Sequence, residues 1–159
     1  MSKVEAVVLF LAAVAFVVIP LLAQRGLTPV SRVVDSNGKV VGTFVGSTQA
    51  ARQINGVWVS FIALNTGFVP DASSSALFLY TTPDCTHQAY IAAGGVLRSG
   101  EIFNNVLYYP ANPLQLRAFR SVKDFSGQCT ETSLQTLIAG PVASFNLSTL
   151  GLVPPFEVK

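Results

Sequence analysis

The chain has few side chains suited to nucleophilic or acid–base chemistry, and they lie near its two cysteines. His87, the only histidine, follows Cys85 by two residues and Asp84 by three. A serine hydrolase needs a histidine base that a carboxylate orients. Strand geometry sends the side chains of Asp84 and His87 in different directions, and no Gly-x-Ser-x-Gly elbow supplies a nucleophile. We therefore predict no catalytic residue and no enzyme activity.

The cysteines, Cys85 and Cys129, allow three interpretations. With His87 and Asp84 they would offer zinc three good ligands and a poor fourth, whereas structural zinc sites use four Cys or His residues. They could also remain free, buried thiols. An exported protein would instead oxidise them, and two cysteines permit one pairing. We predict a Cys85–Cys129 disulfide, no metal site and no cofactor.

Carboxylates offer another route to hydrolysis, since a glycosidase needs an acid and a base that face one cleft. No spacing in the sequence selects a pair, and acidic residues are common in turns. A small secreted carboxylate-dependent hydrolase stays open as an alternative. Its candidate residues are Asp71, Asp84, Glu101, Asp124 and Glu131.

Aromatic and basic side chains are the weak candidates for ligand binding. Tyrosines could form a platform for carbohydrate, although aromatic residues at strand ends usually pack on the core. Arg117, close in sequence to Arg120 and Lys123, could contact an acidic glycan or a lipid head group. A solvated, charged strand explains these basic residues more simply. The candidate binding residues are Tyr90, Tyr108, Tyr109 and Arg117.

The N-terminal segment predicts export. An unbroken apolar run from Ala6 to Ile19 is followed by Pro20 and, after Ala23, by polar residues. This length suits a signal peptide better than a bilayer span, which needs about 20 apolar residues. We predict a signal peptide at 1–23, or alternatively a membrane anchor at 6–23, and a linker at 24–29. The protein is expected to be periplasmic or extracellular.

Charge and length limit the partners and the number of domains. The net charge is only +2 and the basic residues are spread along the chain, so we expect no nucleic-acid partner. The 159 residues fit one domain, at 30–159. An envelope or extracellular protein or a glycan is the expected partner, and the membrane is expected only through an uncleaved N-terminal segment.

Short apolar segments separated by Gly, Pro, Asn and Asp fill the rest of the chain, which predicts strands and turns. Asn37-Gly38 predicts a type I′ hairpin turn. The segment 57–64 is apolar on both alternating faces, which indicates a strand buried on both sides. The best helix candidate is 47–54, which is too short to organise a fold.

The segment 114–122 alternates in polarity and is typical of a half-exposed strand, with Leu116 and Ala118 on its apolar face and Arg117 on its polar face. The number and spacing of these segments predict an all-β, single-domain antiparallel β-sandwich or β-barrel. An N-terminal hydrophobic leader helix is expected to precede it.

Five short motifs occur in a fixed order along the chain: Asp35-x-Asn37-Gly38-x-x-Val41-Gly42, Asn55-Gly56-Val57-Trp58-Val59, Tyr80-x-Thr82-x-Asp84-Cys85, Ser126-Gly127-x-Cys129 and Pro154-Pro155-Phe156. This order resembles an uncharacterised family of exported bacterial single-domain β-rich proteins. The resemblance implies export and a β-rich domain. It implies no activity and no binding residue.

We therefore expect an exported non-enzymatic β domain with a structural, surface or ligand-binding role. Besides the hydrolase, the alternative is a membrane-tethered subunit of an envelope assembly, which requires that the leader stays attached.

Overall fold

The computed structural model describes residues 30–69 and 78–159, and Ser31–Lys159 forms one compact unit. These two ranges contain no α-helix, so the all-β prediction is confirmed. The predicted signal peptide, linker and leader helix lie outside the described residues. The elements are β1 (Arg32–Val34), β2 (Val40–Gly46), β3 (Gln49–Ile54), β4 (Val57–Leu64), β5 (Gly67–Phe68), β6 (Phe78–Tyr80), β7 (Tyr90–Ala92), β8 (Arg98–Ser99), β9 (Glu101–Phe103), β10 (Val106–Pro110), β11 (Gln115–Lys123), β12 (Cys129–Asn146), a 3₁₀ helix (Leu147–Leu150) and β13 (Glu157–Val158).

The first sheet consists mainly of hairpins between consecutive strands. Its order is β13-β1-β2-β3-β4-β5, all antiparallel, and β8 joins β4 in parallel. Asn55 and Gly56 connect β3 to β4 with φ angles of 49° and 79°. Two positive φ angles in a two-residue loop are the signature of a type I′ turn, which asparagine and glycine adopt with little strain.

The second sheet has the order β11-β6-β7-β12-β10-β9, and β11 also pairs with β12. Because of that additional pairing, β11, β6, β7 and β12 close into a ring of four strands. A small core of its own fills this ring. Its buried residues are Leu79, Tyr90, Phe119 and Ala139.

The main core lies between the two sheets. It combines side chains from β1 to β4 with side chains from β9 and β10, and the 3₁₀ helix and the C-terminal segment add one residue each. The largest fully buried members are Tyr109, Phe61, Leu107 and Leu147. The sequence left a β-sandwich and a β-barrel open. The structure has two largely antiparallel sheets that share this core.

The first hairpin forms where predicted, but the turn type is different. Gly38 has a φ of 78°, Asn37 has no positive φ, and the Gly38 amide donates to the Asp35 carbonyl at 2.9 Å. The pairing shifts register between Val33 and Val34. These are the features of a type I turn followed by a bulge with glycine in the left-handed conformation, so the type I′ prediction was wrong.

Two further expectations also need correction. Of the helix candidate 47–54, residues 49–54 form β3 and pair with residues 57–62 of β4, and residues 47 and 48 lie in the preceding turn. In β4 itself, Trp58 remains 47% exposed, so this strand is not buried on both faces.

The two faces of β11 are reversed relative to the prediction. Leu116 is 70% exposed, whereas Phe119 and Ser121 on the other face are fully buried. Phe119 fills the ring of four strands, because burying its large side chain removes more apolar area from water than burying the smaller apolar side chains on the other face. The buried Ser121 hydroxyl keeps its hydrogen bonds, since it donates to the Thr82 carbonyl at 2.7 Å and accepts from the Cys85 amide at 3.1 Å.

The predicted disulfide is confirmed. Cys85, in the loop after β6, is bonded to Cys129 at the start of β12, with their Cα atoms 5.9 Å apart. Cys129 lies opposite Lys123 of β11. The bond therefore ties the β6–β7 loop to the end of the β11–β12 hairpin, next to the buried Ser121.

Removing this bond should destabilise the fold substantially. The cysteines are 44 residues apart, and in the chain-entropy model a loop of that length corresponds to about 4 kcal/mol of unfolding free energy. We expect the double variant Cys85→Ser/Cys129→Ser to lose about that amount in urea unfolding. A reductant should lower the stability of the wild type and leave the double variant unchanged. An equal response of both proteins would contradict the prediction.

Asp35 holds the first turn against the C-terminal segment. The residue is 3% exposed, and its carboxylate accepts from the amides of Asn37 (2.9 Å), Lys39 (2.8 Å) and Val153 (3.0 Å). Burial opposes ionisation of Asp35, but the amides of Val153, Lys39 and Asn37 and the charge of Lys39 outweigh it and lower its pKa. The carboxylate is thus more acidic in the folded than in the unfolded protein.

A lowered folded-state pKa makes stability depend on pH in a defined direction. The contribution of Asp35 should be complete above its unfolded pKa of about 4 and should disappear as the pH falls through the lower folded value. We expect Asp35→Asn to be less stable than the wild type at pH 7 and to lose less stability between about pH 5 and 2. Urea unfolding at stepped pH measures both. Parallel pH profiles would show that Asp35 does not carry this dependence.

Candidate functional site

The residues around the disulfide do not assemble a catalytic or metal centre. His87 is exposed, and the Asp84 carboxylate accepts from the Thr86 hydroxyl at 2.7 Å. Both cysteines are oxidised, so they offer no thiolate to a metal. Within residues 30–69 and 78–159, no group of three or more His, Cys, Asp and Glu residues could hold a metal ion.

Two of the candidate carboxylates serve their own turns. The hydroxyls of Thr86 and Thr82 lower the pKa of Asp84, and the Ser126 hydroxyl lowers the pKa of Asp124, in each case against a smaller desolvation effect. A general acid at neutral pH needs the opposite shift. Of the other three, Glu131 is exposed in β12, Glu101 is half-buried in β9 and Asp71 lies outside the described residues.

The predicted binding residues are placed in different parts of the molecule. Tyr109 is buried in the main core, where its hydroxyl accepts from Asn55 Nδ2 at 3.0 Å. Tyr90 is buried in the ring of four strands, and the Arg117 guanidinium lies 4.7 Å from its ring centroid. Tyr108 is half-buried. The three tyrosines therefore do not form one surface.

Tyr108 belongs instead to a cluster of four aromatic rings, in which Phe125 lies at the centre of the other three. The Phe125 centroid is 4.4 Å from that of Phe103, in a stacked arrangement, and 5.3 Å from those of Phe78 and Tyr108. Phe125 lies in the turn between β11 and β12. The cluster thus packs this turn against β6, β9 and β10, with Phe103 36% exposed and the other three rings half-buried.

A half-exposed aromatic side chain beside a cavity occurs on the first sheet. Trp58 is 47% exposed and pairs across the β3–β4 hairpin with the exposed Gln53. Next to it is an open depression of about 270 Å³. Its lining consists of Val40, Gly42, Thr43, Ala51, Arg52, Gln53 and Trp58. We call it the Trp58 depression.

The depression forms where β2 separates from β3. Their backbones pair at Thr43, Phe44 and Gly46, but the beginning of β2 has no partner in β3. Arg52 replaces the missing pairing, because its Nη1 donates to the carbonyls of Val40 at 2.8 Å and Val41 at 3.0 Å. A guanidinium group thus stabilises two carbonyls that the sheet leaves without a strand partner.

Small residues form the floor of the depression. A Cβ added at Gly42 would lie 2.7 Å from the carbonyl oxygen of Ala51, so the two backbones approach as closely as they can. Glycine and alanine leave the space above the strands open. Trp58 forms one wall, and Arg52 brings a positive charge to the site.

A second cavity, of about 210 Å³, lies between the β9–β10 turn and the C-terminal segment. The described residues that line it include no charged side chain, and two of its polar residues, Asn105 and Ser148, are hydrogen-bonded to each other. This cavity therefore offers a ligand no charged side chain among those residues, whereas the Trp58 depression has Arg52 in its lining.

Sequence reasoning missed Trp58 because it took β4 to be buried on both faces. Val57, Val59 and Phe61 share the face in the main core, whereas Trp58 shares its face with the polar Ser60; Ser60 is nevertheless buried, so this alternation would not have located the exposed position.

Comparison of the chain with protein-family models, curated proteins and solved structures found no match. In the described part of the chain, no helix is long and apolar enough to cross a membrane.

The contribution of the Arg52 hydrogen bonds to the free energy of unfolding can be measured. We expect Arg52→Met to lower the unfolding free energy by about 1–3 kcal/mol, because the Val40 and Val41 carbonyls lose their donor. Gln53→Met, at the neighbouring exposed position, is the matched control and should stay within about 0.5 kcal/mol of the wild type. Urea unfolding measures both, and equal effects would show that the Arg52 hydrogen bonds contribute nothing specific.

Proposed function

We propose that this protein is an exported, non-enzymatic ligand-binding domain whose binding site is the Trp58 depression. The observation that carries the proposal is the half-exposed indole of Trp58 in the wall of the open depression, whose lining also includes Arg52. Leaving a large aromatic ring half-exposed forgoes burial of apolar area. An aromatic wall, a charged donor and a few polar groups around a concavity are the usual components of a ligand site.

The chemistry of the lining supports binding rather than catalysis. Its described lining residues include no histidine, cysteine, lysine or carboxylate, and Thr43 has no base beside it in the lining. Such a site can hold and orient an anion. It has no group that would transfer a proton to or from a reacting bond.

Two observations support export. The Cys85–Cys129 disulfide is a bond of oxidising compartments, and the apolar run 6–19 suits a signal peptide. We accordingly propose a periplasmic or extracellular location, where the expected partners are surface glycans or proteins.

Trp58 is the only tryptophan, so intrinsic fluorescence reports on the proposed site alone. We expect a saturable fluorescence change with at least one probe from a panel of neutral oligosaccharides, oligouronates and short peptides. Calorimetry should show that binding is lost in Trp58→Ala and kept in Phe103→Ala, a control in the ring cluster around Phe125. No response to any probe at millimolar concentration, or unchanged binding by Trp58→Ala, would refute the proposed site.

A further inference from the structure

We infer that one side of the β11–β12 hairpin docks the protein onto an anionic phospholipid bilayer. This side, which we call the outer face, points away from the ring of four strands. It consists of Leu116, Ala118, Arg120, Leu134, Thr136 and Ile138, all of them exposed. The inference goes beyond the Trp58 depression, which lies on the first sheet. It also adds a membrane contact that the sequence led us to expect only through an uncleaved N-terminal segment.

The outer face presents a continuous aliphatic surface to solvent. Leu116 lies directly opposite Ile138, and the two residues are 70% and 52% exposed. The exposed Ala118 and Thr136 form the next pair along the strands. Leu134, two residues further along β12, is 63% exposed. Apolar residues scattered singly over a surface are ordinary, whereas neighbouring ones on one face mark a site of interaction with a protein or a membrane.

The fold does not use these aliphatic side chains. Phe119 and Ser121 on the opposite side of β11 are fully buried and fill the ring of four strands. An antiparallel pair with one buried side normally carries polar residues on its solvated side. Here the solvated side carries two leucines and an isoleucine, so a contact outside the domain is the purpose that remains for them.

The outer face carries one positive charge and, among its described residues, no negative one. The charged residues of β11 and β12 are Arg117, Arg120, Lys123 and Glu131. Arg120 lies between the buried Phe119 and Ser121 and is exposed, so it projects from the outer face. Glu131 pairs with Ser121 and shares its side, and Arg117 lies over the Tyr90 ring inside the hairpin.

Aliphatic residues beside a cation fit the interface of an anionic bilayer. Binding to that interface increases with the apolar area buried and with attraction to anionic lipids. Leu116, Leu134 and Ile138 supply the apolar area. The long side chain of Arg120 can lie along this surface and place its guanidinium at a lipid phosphate, which it can bind with two parallel N–H groups.

A second copy of the chain fits the outer face less well. Most homodimers have two-fold symmetry, so the same surface would lie on both sides of the interface. Arg120 would then meet no acidic partner from the other outer face. Protein interfaces also depend on buried aromatic anchors, and the outer face has none. A fluid bilayer requires neither, and the predicted export signal at 1–23 would bring the chain to a membrane.

Vesicle co-sedimentation tests the inference. The sample is the exported protein, with its N-terminus established by mass spectrometry. We expect it to bind vesicles of phosphatidylcholine and phosphatidylglycerol at least about fivefold more strongly than vesicles of phosphatidylcholine alone. Added salt should reduce the difference, because it screens the attraction between Arg120 and the lipid phosphates.

Two pairs of variants assign the binding to the outer face. Leu116→Thr/Ile138→Thr keeps strand-forming side chains and should weaken vesicle binding at least about tenfold. Val158→Thr in β13, where the valine is 52% exposed like Ile138, should bind as the wild type does. Arg120→Gln should lose most of the preference for anionic vesicles, whereas Arg32→Gln, an exposed position on β1, should keep it. Circular dichroism verifies that each variant is folded.

Four outcomes would overturn the inference. The first is a wild type that binds neither kind of vesicle. The second is equal binding by the wild type and the double threonine variant, which would assign the binding to another part of the chain. The third is an equal loss of preference in Arg120→Gln and Arg32→Gln, since net charge alone would then explain it. The fourth is a dimer in sedimentation velocity that the double variant loses, without vesicle binding, which would assign the outer face to a second copy.

Discussion

The long strand β12 is the constraint on which the second sheet depends. This strand runs from Cys129 to Asn146 and pairs in turn with β11, β7 and β10, so it borders both hydrophobic cores. Its middle tolerates no side chain at Gly140, where a Cβ would lie 2.2 Å from the Ala111 carbonyl oxygen. At its end, Asn146 accepts from the Ser148 amide and begins the 3₁₀ helix. The disulfide at its start thus fixes one end of an element that organises half of the molecule.

The Trp58 depression arises where the ladder between β2 and β3 is interrupted. Where β2 leaves β3, the Val40 and Val41 carbonyls need a donor, and Arg52 supplies it. The bond to the Val40 carbonyl is exposed and the bond to the Val41 carbonyl is part-buried, so Arg52 replaces water at one carbonyl and supplies a donor where water has less access at the other. Arg52 thus stabilises the separated end of β2 and is also one of the residues that line the depression.

The sequence predicted those features that depend on local pattern or on simple chemistry. Alternating apolar segments gave the strands, and two cysteines with one possible pairing gave the disulfide. Features set by distant contacts were missed. The turn at Asp35 takes its form partly from the Val153 amide, 118 residues away in the chain. The buried face of β11 is decided by Phe119 filling a ring that includes β6 and β7. Nothing near Arg52 in the sequence shows that β2 and β3 separate, so the candidate site could not be found without the register of the strands.

The two halves of the fold differ in how their parts are brought together. The disulfide, Ser121 and the ring of four strands join segments far apart in the chain, and their formation carries a large entropy of loop closure. The Trp58 depression is built from residues 40–58 alone, through two consecutive hairpins with short turns. Contacts that are local in sequence need little loop closure and tend to form early. The geometry of the Trp58 depression is thus determined by the short contiguous segment 40–58. The Cys85–Cys129 disulfide stabilises the other part of the domain, where loop-closure entropy opposes folding more.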